Sequence, residues 1–391
     1  MEAYFLDWLS LLLRWAHLVV GIAWIGASFY FIWLDNHLED STDARLVGDL
    51  WAVHGGGFYH AEKFKAAPPQ IPARLHWFKW EAYWTWITGF FLLVLIYYAG
   101  AELYLIDPAV LPLSKPMAIA IGIGSLIISL VVYEVLCRSP LARDDALLGS
   151  VVFVLLAAAA WGLCQLFGGR GAFIHYGAII GTIMAGNVAH VIIPGQRRTV
   201  DALAGGRAPD PKDAAAGKQR SVHNTYFTLP VLFTMVSSHY AFAFGTRWNW
   251  LVLVALTLAG ALIRVWFVLR HKGAAPAWPI VAGLGLIIVL GLFMAPGMEK
   301  SLQSEVKFQA VRNIIDSRCL GCHAAKPTFQ GLNEAPKGIV LDTPQQIRAQ
   351  AGAILAQTVV SNAMPPGNLT AITDQERALL GRWVRAGART D

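Results

Sequence analysis

The sequence predicts an all-α protein in two parts: a bundle of eight membrane-crossing helices over residues 1–299 and a small soluble helical domain over residues 300–391. Three observations predict it. The chain is 56% hydrophobic, with 15 tryptophans, and only 14% of its residues are charged, where a soluble domain carries about a quarter. Apolar runs long enough to cross a ~30 Å hydrocarbon core recur through the first three quarters of the chain. Beyond them the sequence turns polar and keeps a helical period in short amphipathic stretches. The net charge of +6 does not point to nucleic acid, because the basic residues sit in particular inter-helix loops.

The spans fall at about 9–34, 82–104, 116–137, 146–167, 171–194, 222–244, 248–270 and 278–297. The first residues, Met1-Glu2-Ala3-Tyr4-Phe5-Leu6-Asp7, lack a basic n-region and a small-residue cleavage site, so they read as the start of a retained span. The loops after spans 1, 3, 5 and 7 carry fifteen Lys and Arg, from Arg45 and Lys63 to Arg270 and Lys272; the loops after spans 2, 4 and 6 carry three, Lys115, Arg170 and Arg247. The positive-inside rule then places the first set in the cytoplasm and both termini outside.

Two cytoplasmic loops are long. Residues 35–81 contain His54-Gly55-Gly56-Gly57-Phe58-Tyr59-His60 and end in Leu75-His76-Trp77-Phe78-Lys79-Trp80-Glu81, more histidine and aromatic residues than a connector needs. Residues 195–221, rich in Ala, Gly, Pro and Lys, read as a flexible, solvated loop whose charges set topology. Cys137 and Cys164 fall at opposite ends of neighbouring spans and read as buried small residues, not as a disulfide.

In the tail, Gln303 to Arg318 is amphipathic, and Thr343-Pro344-Gln345-Gln346 and Thr373-Asp374-Gln375-Glu376 are capped helix starts. Between them lies Cys319-Leu320-Gly321-Cys322-His323, the attachment signal for a c-type haem. Two thiols three positions apart on one turn reach the two vinyl groups of a porphyrin, and His323 follows beneath the ring. Met364, in Ala363-Met364-Pro365-Pro366-Gly367-Asn368, is the sixth-ligand candidate, with Met298 or a water as rivals. Two other readings of the motif exist: a redox pair, which needs a βαβ setting, and half a zinc site, which needs two more ligands. The order of helix, haem motif, Met loop and closing helix is that of a class I cytochrome c.

Ionisable groups inside spans are costly and usually functional. His17, His175 and His239 lie toward the outer leaflet, with Arg14 one turn from His17. His17 and His239, on different helices, are candidate ligands of a second, b-type haem; hydrogen-bonded core histidines are the alternative. His190 and His223 lie near the inner ends of their spans, beside the loop with His54, His60 and His76, and this inner set is suited to an anionic substrate with Lys63 or Lys65 nearby.

Gly21-Ile22-Ala23-Trp24-Ile25-Gly26-Ala27-Ser28-Phe29-Tyr30-Phe31, Trp51 through His60, and His76-Trp77-Phe78-Lys79-Trp80-Glu81-Ala82-Tyr83 resemble the bacterial membrane-integral urate hydroxylases, in which an eight-span urate oxidase domain is fused to a cytochrome c. Span 1, with Arg14-Trp15-Ala16-His17, also resembles the first helix of a small haem-binding membrane protein of porphyrin oxidation. The first resemblance implies oxidation of urate to 5-hydroxyisourate in purine breakdown. It also implies an inner-membrane location with the cytochrome on the periplasmic side. Electrons would pass through one covalent haem c to a respiratory cytochrome c or terminal oxidase. It transfers no catalytic residues; His54, His60 and Glu81 are the candidates. The rival readings are a quinol-oxidising respiratory subunit and a haem-regulated transporter or sensor.

Overall fold

The computed structural model describes residues 2–271, 273–274, 276–295 and 306–390. α1 (Glu2–Asp35) leads into a hairpin of β1 (Leu46–His54) and β2 (Gly57–Phe64). α2 (Trp80–Leu92) continues through a π-helical turn, Leu93–Tyr98, to the short α3 (Ala101–Tyr104). α4 (Lys115–Arg138), α5 (Asp145–Leu166) and α6 (Gly169–Gly186) follow, and a second π-helical turn, Asn187–Ile192, joins α6 to α7 (Ile193–Ala204). α8 (Pro211–Ser237), α9 (Ala241–Phe244), α10 (Asn249–His271) and α11 (Trp278–Phe293) complete the bundle.

Local chemistry starts these helices where the sequence allows. The Asp144 carboxylate accepts from the N–H groups of Ala146 and Leu147 and opens α5. Asp210 does the same for Lys212 at the head of α8, where Pro211 occupies the first turn. Among the described residues, five helices are long and apolar enough to cross a membrane: Tyr4–Asp35, Lys115–Arg138, Asp145–Leu166, Gly169–Ala204 and Asn249–Arg270. The other three predicted spans correspond to α2 with its continuation, α8 and α11, which are shorter or begin in polar sequence and pack in the same bundle.

α6 is the central helix. In its run 67% of the apolar window is buried, against 6% for α1, so α1 lies at the rim with most side chains facing outward. Phe173, His175, Tyr176 and Ile180 are fully buried. α6 and α8 touch backbone to side chain, since a Cβ on Gly177 would lie 2.1 Å from the Thr234 hydroxyl. Small residues at such crossings are how helices associate where lipid removes the hydrophobic drive.

Two expectations need correction. Residues 35–81 are not only loop, and the fold is not purely α: residues 46–64 form a two-stranded antiparallel hairpin pairing Trp51 with His60 and Val53 with Phe58. Gly55 and Gly56, both at positive φ, make its turn between β-branched and aromatic runs. Residues 195–221 are mostly helical, with 205–210 as the connector between α7 and α8. Their alanines, lysines and glutamine are good helix formers, and Arg198 pairs with Asp213 at 2.6 Å across the junction.

The tail folds as α12 (Phe308–Arg318), α13 (Leu320–His323), α14 (Pro344–Ala349), α15 (Ala351–Ile354) with a π-helical turn Leu355–Val360, and α16 (Asp374–Arg385). Val311, Ile315, Ile347, Leu380 and Trp383 form its core. Both expected capping boxes form, Thr343 with Gln346 and Thr373 with Glu376. The boundary at 299/300, the end of the 278–297 span, Met298, Lys272 and the start of the Gln303 helix lie outside the described residues. Cys137 and Cys164 are free and buried.

Candidate functional site

A cleft opens in the bundle at the end where α1 finishes and α2 starts. Its inner chamber, about 570 Å³, is lined by Trp24, Ser28 and Asp35 of α1, His76, Trp77 and Glu81 at the entry to α2, Met184 and Val188 around the second π-helical turn, and Asn224 and Thr228 of α8. A second chamber of about 960 Å³ shares Asp35, His76, Trp77, Gln196 and Ser221 and widens toward Lys63, Asp213, Lys218 and Tyr226. The shared residues make one continuous space, of the size that holds a small ligand. Lys63 at its mouth pairs with Asp35 at 2.8 Å.

Glu81 stands in the first turn of α2. Its Oε2 is buried and has no hydrogen-bond partner among the described residues. A buried carboxylate oxygen left unpaired is costly, so such a group invites a ligand donor. On the opposite wall the two asparagines are paired, while Nε and Nη1 of the nearby buried Arg220 have no hydrogen-bond partner among the described residues. Asn224 accepts from Asn187 Nδ2 at 2.8 Å and donates to the Met184 carbonyl at 3.1 Å. Asn187 Nδ2 also donates to the Tyr133 hydroxyl at 3.1 Å. The Tyr133 hydroxyl also hydrogen-bonds His223 Nδ1, 2.7 Å away. Arg220, 3% exposed, lies over the Tyr133 ring and pairs with Glu134 at 2.9 Å. This network fixes the π-helical turn that carries Asn187 and Val188, a place where such turns recur at functional sites.

The structure separates the sequence candidates. Glu81 lines the cleft. His54 ends β1 and is exposed, and His60 pairs with Asp49 at 2.7 Å while stacking on Trp51. The bond from His60 holds the Asp49 carboxyl below its ordinary value. Neither histidine lines the cleft. His76, from the same predicted loop, lines both chambers. His17 donates from Nδ1 to Thr88 Oγ1 at 3.0 Å, because the Thr88 hydroxyl already donates to the Trp84 carbonyl. That tautomer leaves Nε2 with a lone pair, and the ring lies against Gly89. His239 sits in the exposed turn after α8, and no hydrogen bond or ring contact joins it to His17 among the described residues. His175 bonds the Gly171 carbonyl and Tyr98 in the core. Asn187, Asn224 and Tyr133 had no signal in the sequence beyond being polar residues in apolar spans.

In the tail, Cys319, Cys322 and His323 occupy one helical turn, with His323 N–H bonded to the Cys319 carbonyl. The His323 Nδ1–H donates to the Ile339 carbonyl at 2.9 Å, which leaves Nε2 free. Burial pushes the Cys319 thiol up to about 12, unlike the lowered thiol of a redox pair. Among the described residues no group of three His, Cys, Asp or Glu side chains forms a metal cluster there, as a zinc site would need. The Met364 loop is held by Arg377, which donates to the Met364 carbonyl at 2.8 Å. Paired thiols, an oriented imidazole and a tethered methionine loop fit a covalently attached haem.

A helical bundle with five described helices long and apolar enough to cross a membrane is of membrane-protein type. The urate oxidase N-terminal family matches residues 3–295, and the chain belongs to that family. The family points to urate-related oxidoreductase chemistry. No curated protein and no solved structure matches the chain.

Proposed function

We propose that the chain oxidises urate to 5-hydroxyisourate in the cleft at the cytoplasmic end of an eight-span bundle, with the tail acting as a periplasmic c-type cytochrome. The observation that carries this is a buried Glu81 oxygen without a partner among the described residues, on a residue that lines a cleft with Trp24 and Trp77 in its wall, in a chain of the urate oxidase N-terminal family. A flat purine suits aromatic walls. Urate is a monoanion at neutral pH, and Lys63 at the mouth favours its entry from the cytoplasm.

The reaction converts urate and water into 5-hydroxyisourate with loss of two protons and two electrons. A C5–O bond forms to water; one proton leaves a urate N–H and one leaves the water. Glu81, in the inner chamber, accepts the N–H proton, and His76, which lines both chambers, orients and deprotonates the water. The cleft walls exclude bulk solvent from the reacting face. When bound at Cys319, Cys322, His323 and Met364, haem c supplies a one-electron acceptor. The two electrons of each turnover would leave through it one at a time, to a respiratory cytochrome c or terminal oxidase, so that dioxygen would not be consumed in the cleft and hydrogen peroxide would not accumulate.

Glu81 and the start of α3 lie at opposite ends of α2 and its π-helical continuation, about 30 Å apart at 1.5 Å per residue. Such a gap calls for an intermediate station. His17, against Thr88 and Gly89, stands partway along α2 with a free Nε2, and we include it as the ligand of a b-type haem. His239, its sequence-predicted partner, sits in an exposed turn, which favours His17 alone of the pair.

The test is a visible spectrum of the oxidised, detergent-purified protein before and after anaerobic urate, with a pyridine haemochrome to count haem types. Reduction of a c-type band is expected, with a b-type band that His17→Ala removes. A haem that stays oxidised with urate but reduces with a quinol would replace this reading with a respiratory subunit.

A further inference from the structure

The tail is seated on the bundle through its Met364 loop, and the contact is close enough to exclude side chains. A Cβ on Gly245, just after α9, would lie 1.8 Å from the Ser361 carbonyl oxygen. A Cβ on Gly367 would lie 2.8 Å from the Ile106 carbonyl, with those of Glu102 and Leu103 at 3.3 and 3.4 Å. Asn362 Nδ2 donates to the Gly245 carbonyl at 2.9 Å. Gly245 has φ −84°, which any residue adopts, so its smallness is required by the neighbour and not by its own backbone.

We propose that these contacts form a built seat: the tail works in one fixed orientation, its Met364 side against the outer end of the bundle, with Gly245 and Gly367 as positioning residues for electron entry. This rests on the reading of the tail as a c-type cytochrome. The bundle side of the seat consists of the loop after α3 and the turn after α9, the end of the bundle remote from the cleft. An external electron acceptor then has to approach a face of the tail other than the one holding Ser361 to Gly367. A tail swinging freely on a tether would need none of this: no glycine at each contact and no Asn362 bond.

The experiment uses the full-length, haem-loaded protein. Cysteines are introduced at Thr246 and Ala363, on the two sides of the seat, and treated with a short bifunctional maleimide. Cys137 and Cys164 are buried, and Cys319 and Cys322 are consumed by thioethers, so only the introduced pair reacts. A peptide pair linking 246 and 363 is expected by mass spectrometry. Gly245→Val, added to this background, is expected to abolish the linked pair. Alone, it is expected to slow haem reduction by urate while the visible spectrum and reduction by dithionite stay as in the parent. Asn362→Asp, which keeps the left-handed backbone tolerable and removes the donor, serves if Gly245→Val does not fold. Absence of the 246–363 link in the parent, or its persistence undiminished in both variants, overturns the seat. Failure of urate to reduce the haem in the parent overturns the proposed reaction but leaves the cross-link to decide the seat.

Discussion

The two ends of α2 are built on opposite plans. At its start, Glu81 lines a cleft and keeps a buried carboxylate oxygen that has no partner among the described residues. Beyond its far end, the backbone of Glu102 to Ile106 is closed over by another part of the chain at a distance that admits no side chain on Gly367. Open space with an unpaired polar atom is what a reacting ligand needs. Close, rigid contact is what electron transfer between two folded units needs. One helix thus joins a place designed to be filled by substrate to a place already filled by protein.

The largest effect should come from breaking the tail at its chemistry. Cys319→Ser/Cys322→Ser removes both thioether donors. Haem-dependent peroxidase staining on a denaturing gel should vanish, and urate oxidation coupled to a cytochrome acceptor should stop. A double variant that oxidises urate with dioxygen at the parental rate would separate the two ends functionally and sink the route. Next comes the cleft. Glu81→Gln preserves size and removes the base, so the turnover number should fall by about a hundredfold or more. Haem content and dithionite reduction should not change.

A smaller effect sharpens the outer end through pH. Burial alone would raise the Glu376 carboxyl, but hydrogen bonds from Thr373 and Arg318 outweigh it and hold the carboxyl below its ordinary value. The unfolded tail therefore binds more protons than the folded one across that window. Stability from this group is complete above about pH 4.3, the ordinary glutamate value, and is lost as pH falls through the lowered folded value. Acid unfolding of the parent, followed by the fluorescence of buried Trp383, should be steeper than that of Glu376→Gln. Equal slopes would remove the Arg318–Glu376 pair, 3.1 Å apart, from any role in tail stability.

These ends also differ in how far the sequence disclosed them. The Cys319–His323 motif is contiguous, so thioether spacing and the imidazole that follows are visible in a five-residue string, and the capping boxes at Thr343 and Thr373 announce their own hydrogen bonds. The helical runs of the bundle are likewise legible, because apolar length is a local property. The cleft is not. Glu81, His76, Asn224 and Trp24 meet only when three helices and the segment before α2 converge, and no spacing encodes that. The hairpin at 46–64 was missed for another reason: alternation of Trp51, Val53, Phe58 and His60 was weighed as binding chemistry when Gly55-Gly56 was marking a turn. The seat was invisible because Gly245 looks like any loop glycine until Ser361 is beside it.

The smallest expected effect discriminates most directly between sequence reading and structure. His54 and His60 stand out in the sequence as a histidine pair around a triple glycine, yet they lie on an exposed hairpin. His60 is occupied by Asp49 at 2.7 Å and by the Trp51 ring, with centroids 4.4 Å apart. An exposed ion pair of this kind contributes about 0–1 kcal/mol. His54→Ala and His60→Ala should therefore leave the turnover number within about twofold of the parent, since neither residue lines the cleft and surface changes usually stay within about 0.5 kcal/mol. His76→Ala, drawn from the same stretch but lining both chambers, should lower the turnover number far more. If His60→Ala silenced the protein while His76→Ala did not, the hairpin would have to fold over the cleft during turnover, and the open end of α2 would be open only in the resting state.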